Sequence, residues 1–469
     1  MRCVAAPIAV LALLCAATSA RAAVPDDPAL VTLAAAGGSA SLPDQWWAAR
    51  SGFFGAWGLV GGAPATVAVI DTGVDASHPE IGPQLLAAVD QDGDPAHGPA
   101  TVDENGHGTH VASLACATPG NGIGIAGAGL GCRLIVEKTD LTDASIAASI
   151  GDAVGRGADA INMSFGTDDG RKPSKVLVDA VDDAYAKGVV LVAAAADRPT
   201  REQGQPANLL QPRGSGSDLS AGKGLTVTAA TSADVRAPFA GRGSEISLAA
   251  YGAVDGDRGS PGLLGAFPGN STVLERGGPG PHAAGCGCRT NYRGDARWAY
   301  LSGTSMAAPQ VAATAALVRR LNPDLRVADI LKLLKRTARR PAGAGWTPDL
   351  GWGILDADAA MRAAGRLDRT PPSSRIVLAA PVGGGSVALR WRGRDAAPPG
   401  VRSSGVQTYE VWRATGDGPA ERIATTSGTT VLVPVRPGVR ARYFTVAVDR
   451  QGNREPRPSG ADRGRTRTF

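Results

Sequence analysis

An α/β domain with a parallel sheet and helices on both faces, followed by a small all-β sandwich at the C-terminus, is the architecture the sequence predicts. Short strands that are apolar along their whole length alternate with helical stretches between residues 45 and 365, and strands of that kind belong to parallel sheets buried on both faces. Beyond Asp368-Arg-Thr-Pro-Pro372, where consecutive prolines hold the chain extended, the apolar period changes to two. The chain of 469 residues has room for two or three domains, and 43% hydrophobic against 19% charged residues allows a sizeable core. Gly 63 and Pro 33 together stay below the ~25–30% of disordered chains, which excludes collagen-like, coiled-coil and largely disordered readings.

The elements follow in order. Arg2, the apolar run Cys3–Ala17 and Ala20-Arg21-Ala22 read as a signal peptide over 1–22. The run is too short to span a bilayer comfortably, so the mature chain is expected to be secreted with no transmembrane segment. Residues 23–44 are a short lead-in. The domain over 45–365 carries strands Thr66–Ile70, Leu134–Lys138, Ala160–Met163, Val189–Ala195 and Leu225–Ala229, with helices near 107–117, 143–156, 174–187 and 304–320. The Gly/Pro-rich stretch 253–297 reads as a long surface loop stapled by a disulfide. A linker over 366–373 leads to a sandwich over 374–469, with strands Ser386–Trp391, Thr408–Arg413, Thr430–Val435 and Arg442–Val448. Within it, SGVQTYEVWR and YFTVAVDRQGN resemble a fibronectin type III module.

Charge separates the same two units. Residues 370–469 hold 16 Arg, no Lys and seven acids, a net of +9, which leaves −4 on residues 1–369. The arginines alternate with apolar strand residues, so nucleic acid is not an expected partner. They suit an anionic cell-wall or surface ligand, with solvated charge as the plainer account. Seven Lys against 41 Arg fits a bacterium with a GC-rich genome. The four cysteines outside the leader, Cys116, Cys132, Cys286 and Cys288, suit disulfides in an exported chain. Three pairings are open, of which Cys116–Cys132 with Cys286–Cys288 is preferred. The spacing is a poor zinc signature.

Three segments carry chemistry. Val67-Ala-Val-Ile-Asp-Thr-Gly73 is a buried strand ending in an acid, placed to hold an imidazole in one tautomer. Asn105-Gly-His-Gly-Thr-His-Val111 sets a histidine between glycines at a helix start. Leu301-Ser-Gly-Thr-Ser-Met-Ala-Ala-Pro309 puts Ser305 at a helix N-terminus, where free amides favour developing negative charge, with Pro309 expected in the first turn. Singly, each has a plainer reading: a capping Asp, a satisfied structural His (as expected for His110) and a capping Ser.

Together, VAVIDTGVD, NGHGTHVA and GTSMAAPQVAA, in the order Asp, His, Ser, closely resemble the subtilisin-like serine peptidases, the subtilases, with INMSFG at 161–166 as a fourth block. The resemblance spans about residues 45–365. It implies the subtilase fold and endopeptidase activity on polypeptides, with Ser305 as nucleophile, His107 as general base and then acid, and Asp71 orienting His107. It also implies that Ser164, Phe165 and Gly166 pair with substrate as an added strand. Gly204 aligns with a residue walling the primary specificity pocket, where glycine leaves room for a large side chain.

Departures from the family pattern matter too. Asp197 ends the Ala-rich strand where the family carries an asparagine, so the oxyanion hole would consist of Asp197 and the Ser305 amide. An ionised carboxylate cannot donate a hydrogen bond, and losing such a donor costs on the order of 10²–10³ in turnover. Burial would be needed to keep Asp197 protonated. Arg198 stands where an acid often sits at the pocket rim, which disfavours basic side chains at the cleavage site. Fewer than about 50 residues separate the leader from the Asp71 strand, so an inhibitory propeptide of the usual size is not expected. The chemistry requires no cofactor, while Asn121-Gly-Ile-Gly-Ile125 resembles a family loop that binds structural calcium. The alternative reading is a catalytically weak or silent homologue acting as an extracellular binding protein. An esterase or lipase is disfavoured because Ser305 lies in Gly-Thr-Ser-Met and not in Gly-x-Ser-x-Gly.

Overall fold

Seven parallel strands form the main sheet in a computed structural model of the chain. It describes residues 25–30, 44–60, 64–166, 172–254, 262–277, 284–341, 343–365, 368–382, 385–397, 403, 405–416, 418–435, 438–449, 452–458 and 467–468. The expected signal peptide and most of the lead-in lie outside the described residues. The strands are β1 Thr66–Asp71, β2 Leu85–Asp90, β3 Arg133–Lys138, β4 Ala160–Met163, β5 Val190–Ala194, β6 Gly224–Thr231 and β7 Leu248–Ala253, in the order β2-β3-β1-β4-β5-β6-β7. Every residue of β1, β4, β5 and β6 is buried, which is why they read as unbroken apolar runs. The period of two still sorts their side chains. Val67 and Val69 join a core with helices His107–Cys116 and Thr304–Leu321. Ala68 and Ile70 face the opposite core, with Ile146, Ile150, Leu177 and Val181 of helices Asp143–Gly155 and Lys175–Ala186.

The helix Thr304–Leu321 runs through the interior, with every residue from Thr304 to Val318 buried. Its many alanines let it lie close against the sheet, as a helix apolar on all sides must. Cys116 is bonded to Cys132, tying the end of helix His107–Cys116 to the residue before β3.

Two sequence expectations change. Residues 253–297 are not simply a loop: β8 Leu263–Ala266, β9 Arg289–Tyr292 and β10 Asp295–Leu301 form an antiparallel sheet in the order β8-β10-β9. The Gly- and Pro-rich segments around them hid these short strands. Arg289 is held by Glu275, whose helix start is closed by a capping box with Thr272. Cys286 is bonded to Cys288 in the same region. The helices Val327–Thr337 and Ala357–Gly365 and the two edge strands β2 and β7 were also not expected.

The C-terminal part holds two antiparallel sheets. The strands are β11 Ser373–Pro381, β12 Ser386–Arg394, β13 Val406–Thr415, β14 Glu421–Thr426, β15 Thr430–Pro434, β16 Ala441–Asp449 and β17 Arg467–Thr468. They are arranged as β11-β12-β15 and β14-β13-β16-β17 around a core of their own that includes Ile376, Leu389, Trp391, Val411 and Tyr443. Because this core is separate, Trp391→Ala is expected to destabilise the module by about 3–5 kcal/mol. Scanning calorimetry should show that loss while the transition of the α/β domain stays in place.

Candidate active site

The carboxyl edge of the sheet brings the predicted residues together. β3 lies on one side of β1 and β4 on the other, and a reversal of strand order opens a crevice at that edge. Asp71 is the last residue of β1 and His107 the first of its helix. Gly106 caps that helix in the left-handed region at φ 96°, and a Cβ on Gly108 would stand 2.1 Å from the Gly73 carbonyl oxygen. These two glycines let the helix start press on the end of β1. His107 Nδ1 then lies 2.7 Å from Asp71 Oδ1, which also accepts from the Thr72 amide at 2.9 Å. With Nδ1–H donating to the carboxylate, Nε2 carries the lone pair.

A third acid, which sequence reasoning missed, organises this corner. Asp103 is buried and accepts from the amides of Asn105, Gly106 and Thr109 and from the hydroxyls of Thr109 and Thr72. Thr72 Oγ1 in turn accepts from the Gly108 amide at 3.0 Å. Asp103 thereby ties the loop before His107 to the residue after Asp71. An Asp two residues ahead of Asn-Gly at a helix start is a capping signal that would have found it. Burial pulls the His107 pKa down, but attraction and hydrogen bonding to Asp71, with the charges of Asp103 and Asp197, raise it above the ordinary 6.5. His110 behaves differently. Its Nε2–H donates to the carbonyls of Leu263 and Ala299, and burial pushes its pKa down to about 3. It is a packed neutral ring joining its helix to β8 and β10.

Ser305 is the second residue of the helix Thr304–Leu321, which places Pro309 in the second turn and not the first. A proline there removes the amide that would bond the carbonyl four residues back, that of Ser305. The Ser164 hydroxyl takes that carbonyl at 2.8 Å, and the Ser305 hydroxyl donates to the Ser164 carbonyl at 2.9 Å. This reciprocal pair fastens the helix start to the residue after β4. In the resting arrangement the Ser305 hydroxyl therefore points to Ser164 O.

Asp197 lies beside the same helix start. Its Oδ1 accepts from the Thr304 amide at 2.8 Å and from the Thr304 hydroxyl at 2.9 Å. Gly303 offers no side-chain cap, so Asp197 supplies the cap from another segment, where a carboxylate also meets the positive end of the helix. The residue is exposed, contrary to the burial that would favour a protonated donor. Its hydrogen bonds with Thr304 use it as an acceptor.

Of the substrate-binding candidates, Ser164 is buried, Phe165 half-buried and Gly166 exposed, so the segment runs outward from β4. A Cβ on Gly166 would stand 3.7 Å from Gln205 O, next to Gly204, which is half-buried. Arg198 is exposed. The Asn121–Ile125 loop turns amides inward. Gly120 N and Asn121 N donate to Asp27, while Ile125 N and the Asn121 side chain donate to Glu80 at 3.3 and 3.1 Å. Asn121 Oδ1 accepts from Ile123 N. Burial, with the charge of Asp27 nearby, pushes Glu80 up to about 8. As placed, these groups meet N–H donors instead of forming an oxygen shell, so they do not fit a calcium ion and no chemical step is routed through one.

Residues 62–353 match the subtilase family, Peptidase S8. A thermophilic serine proteinase of Bacillus sp. (strain AK1) is 32% identical over 302 residues, covering 62% of this chain and 60% of that protein. An extracellular protease of Xanthomonas campestris pv. campestris is 30% identical over 350 residues, covering 66% of this chain and 53% of that protein. The chain thus spans little more than half the length of these two relatives. Among solved structures, a protease from Pseudoalteromonas arctica superposes with a TM-score of 0.57 at 26% identity, covering 73% of this chain and 99% of that one.

The raised His107 pKa fixes a direction. As the general base we propose below, His107 is competent only when neutral, so kcat/KM should rise with pH along a limb centred above 6.5. Asp197→Asn removes one of the charges that raise it and should move that limb to lower pH in a pH–rate profile. Asp103→Asn leaves loop amides short of acceptors; a loss of about 1–3 kcal/mol is expected in denaturant unfolding, with kcat falling more than KM changes.

Proposed function

The chain belongs to the subtilase family, and on that premise we propose that it is a secreted serine endopeptidase working through Asp71, His107 and Ser305. The 2.7 Å contact between Asp71 and His107 Nδ1, which leaves Nε2 as the acceptor, carries the reading. Helix His107–Cys116 packs against helix Thr304–Leu321, so both reactive side chains project from helix starts at one sheet edge. Substrate binding turns the Ser305 hydroxyl from Ser164 O toward His107 Nε2, since catalytic hydrogen bonds often tighten only in the Michaelis complex. Ser305 Oγ attacks the peptide carbonyl as His107 takes its proton, and the imidazolium then protonates the leaving amine. Water, deprotonated by the same ring, hydrolyses the acyl-enzyme. No cofactor enters these steps.

Ser164, Phe165 and Gly166 present backbone to an extended polypeptide as an added strand, with Gly204 leaving space for the side chain at the cleavage site. The oxyanion meets the Ser305 amide at the helix start, but Asp197 places a carboxylate where a donor would help. That observation supports a slow enzyme. The same residue is the one feature favouring a catalytically silent binding protein.

Labelling by a fluorophosphonate probe should occur at Ser305 and disappear in Ser305→Ala. A folded wild-type chain that neither labels nor cuts peptides would leave the silent homologue standing. Asp197→Asn should raise turnover by on the order of 10- to 10³-fold; unchanged turnover at every pH would remove Asp197 from the oxyanion site. Peptide libraries should show acidic or neutral residues preferred over Lys and Arg at the cleavage site.

A further inference from the structure

One face of the C-terminal sheet β11-β12-β15 combines unpaired cations with exposed aliphatic side chains. Alternation along β12 sends Arg390, Arg392 and Arg394 outward together. The register sets Arg375 of β11 directly opposite Arg392 and Leu378 opposite Arg390. All four arginines are exposed, and among the described residues none forms an ion pair; those of this module engage Arg413, Arg422 and Arg454 elsewhere. Like charges opposite one another destabilise a sheet, yet the three strands themselves carry no acid. At the other end of the same face, β15 places Leu432 opposite Ala388. Leu378 is 49% exposed and Leu432 62%.

We propose that this face docks on a lipid bilayer surface bearing anionic headgroups, with the arginines on lipid phosphates and the two leucines sunk beneath them. Charge complementarity calls for an anionic partner, and the guanidinium fork matches phosphate. It also disfavours a second copy of this chain, whose arginines would meet these. A soluble polyanion would use the arginines alone and leave the leucines in water. A single-stranded nucleic acid would want aromatic platforms, and the outward positions of the three strands carry none. A bilayer surface uses both halves of the face. No helix among the described residues is long and apolar enough to cross a membrane, so attachment through this face is peripheral.

The test is co-sedimentation of the full chain with vesicles of 30% phosphatidylglycerol in phosphatidylcholine, at about 0.1 M NaCl, against pure phosphatidylcholine. Binding to the anionic vesicles only is expected, with release at about 1 M salt, where screening is within about 3 Å. Each arginine near such a surface contributes about fivefold. Arg390→Gln with Arg392→Gln should therefore weaken binding about 25-fold, and Arg375→Gln alone, which leaves β12 intact, about fivefold. Leu378→Ser with Leu432→Ser should weaken vesicle binding while leaving binding to dextran sulfate unchanged. Unaltered thermal unfolding shows that each variant is folded. Wild-type sedimentation no better with anionic than with neutral vesicles overturns the proposal. So does vesicle binding unaffected by the arginine variants. Binding to dextran sulfate or duplex DNA as tight as to vesicles, with the leucine variants without effect, assigns the face to a soluble polyanion instead.

Discussion

The exchange of hydrogen bonds between Ser164 and Ser305 is the contact on which the site depends. It is possible because of Pro309. An uninterrupted helix would use the Ser305 carbonyl internally; proline leaves it open, and the Ser164 hydroxyl fills it. Ser164 is itself fixed, since it follows β4 and receives a hydrogen bond from the Asn162 side chain at 2.9 Å. The position of the proposed nucleophile is thus referred directly to the centre of the sheet and not to a loop. The same sheet centre positions Asp71 at the end of β1, the strand paired with β4. Acid and hydroxyl inherit their separation from neighbouring strands, and the imidazole is brought to them by two glycines.

Three carboxylates then act on one imidazole, and they do different work. Asp71 touches the ring and sets its tautomer. Asp103 touches no ring atom; its five donors define the path of the chain on both sides of His107 and reach Thr72 beside Asp71. Asp197 acts through space, and its contacts are with Thr304. All three raise the His107 pKa against the pull of burial. A ring held this way is a stronger base once neutral, and its protonated form is better stabilised during amine expulsion. The cost is a narrower range of pH in which the free site starts out neutral.

Much of this was legible because the informative residues sit where local rules are strict. Strands buried on both faces show as apolar runs, so β1, β4, β5 and β6 were readable, while the equally buried β7, with its small alanines and glycine, was missed; Asp71 lay at the end of β1, and His107 and Ser305 in motifs at helix starts. Half-exposed β2 and the short strands β8–β10, set among Gly- and Pro-rich segments, obey weaker patterns, and β8 and β10 are joined through distant chain, His110. Asp103 looked like an ordinary loop acid because its importance comes from four donors within residues 105–109 and a fifth, Thr72, from across the site. The turn occupied by Pro309 was misplaced for a related reason: the helix start is set by Asp197 and Gly303, and a cap arriving from another segment leaves no local signal.

If Asp197 stands at the oxyanion site as proposed, it trades one function for another. An asparagine could accept from the Thr304 amide through its oxygen and still donate to an oxyanion through its nitrogen. Aspartate keeps the first function and strengthens it, since hydrogen bonds to an ionised acceptor are roughly twice as strong as neutral ones, and it adds a favourable charge at the helix start. It gives up the second. The helix that gains this firmer cap is the one carrying Ser305, and Thr304 gives its amide to the carboxylate while its hydroxyl is shared between the carboxylate and the Ala195 carbonyl. On the proposed mechanism, catalytic electrostatics and the anchoring of the helix that carries Ser305 therefore compete at a single side chain, and in this sequence the anchoring prevails.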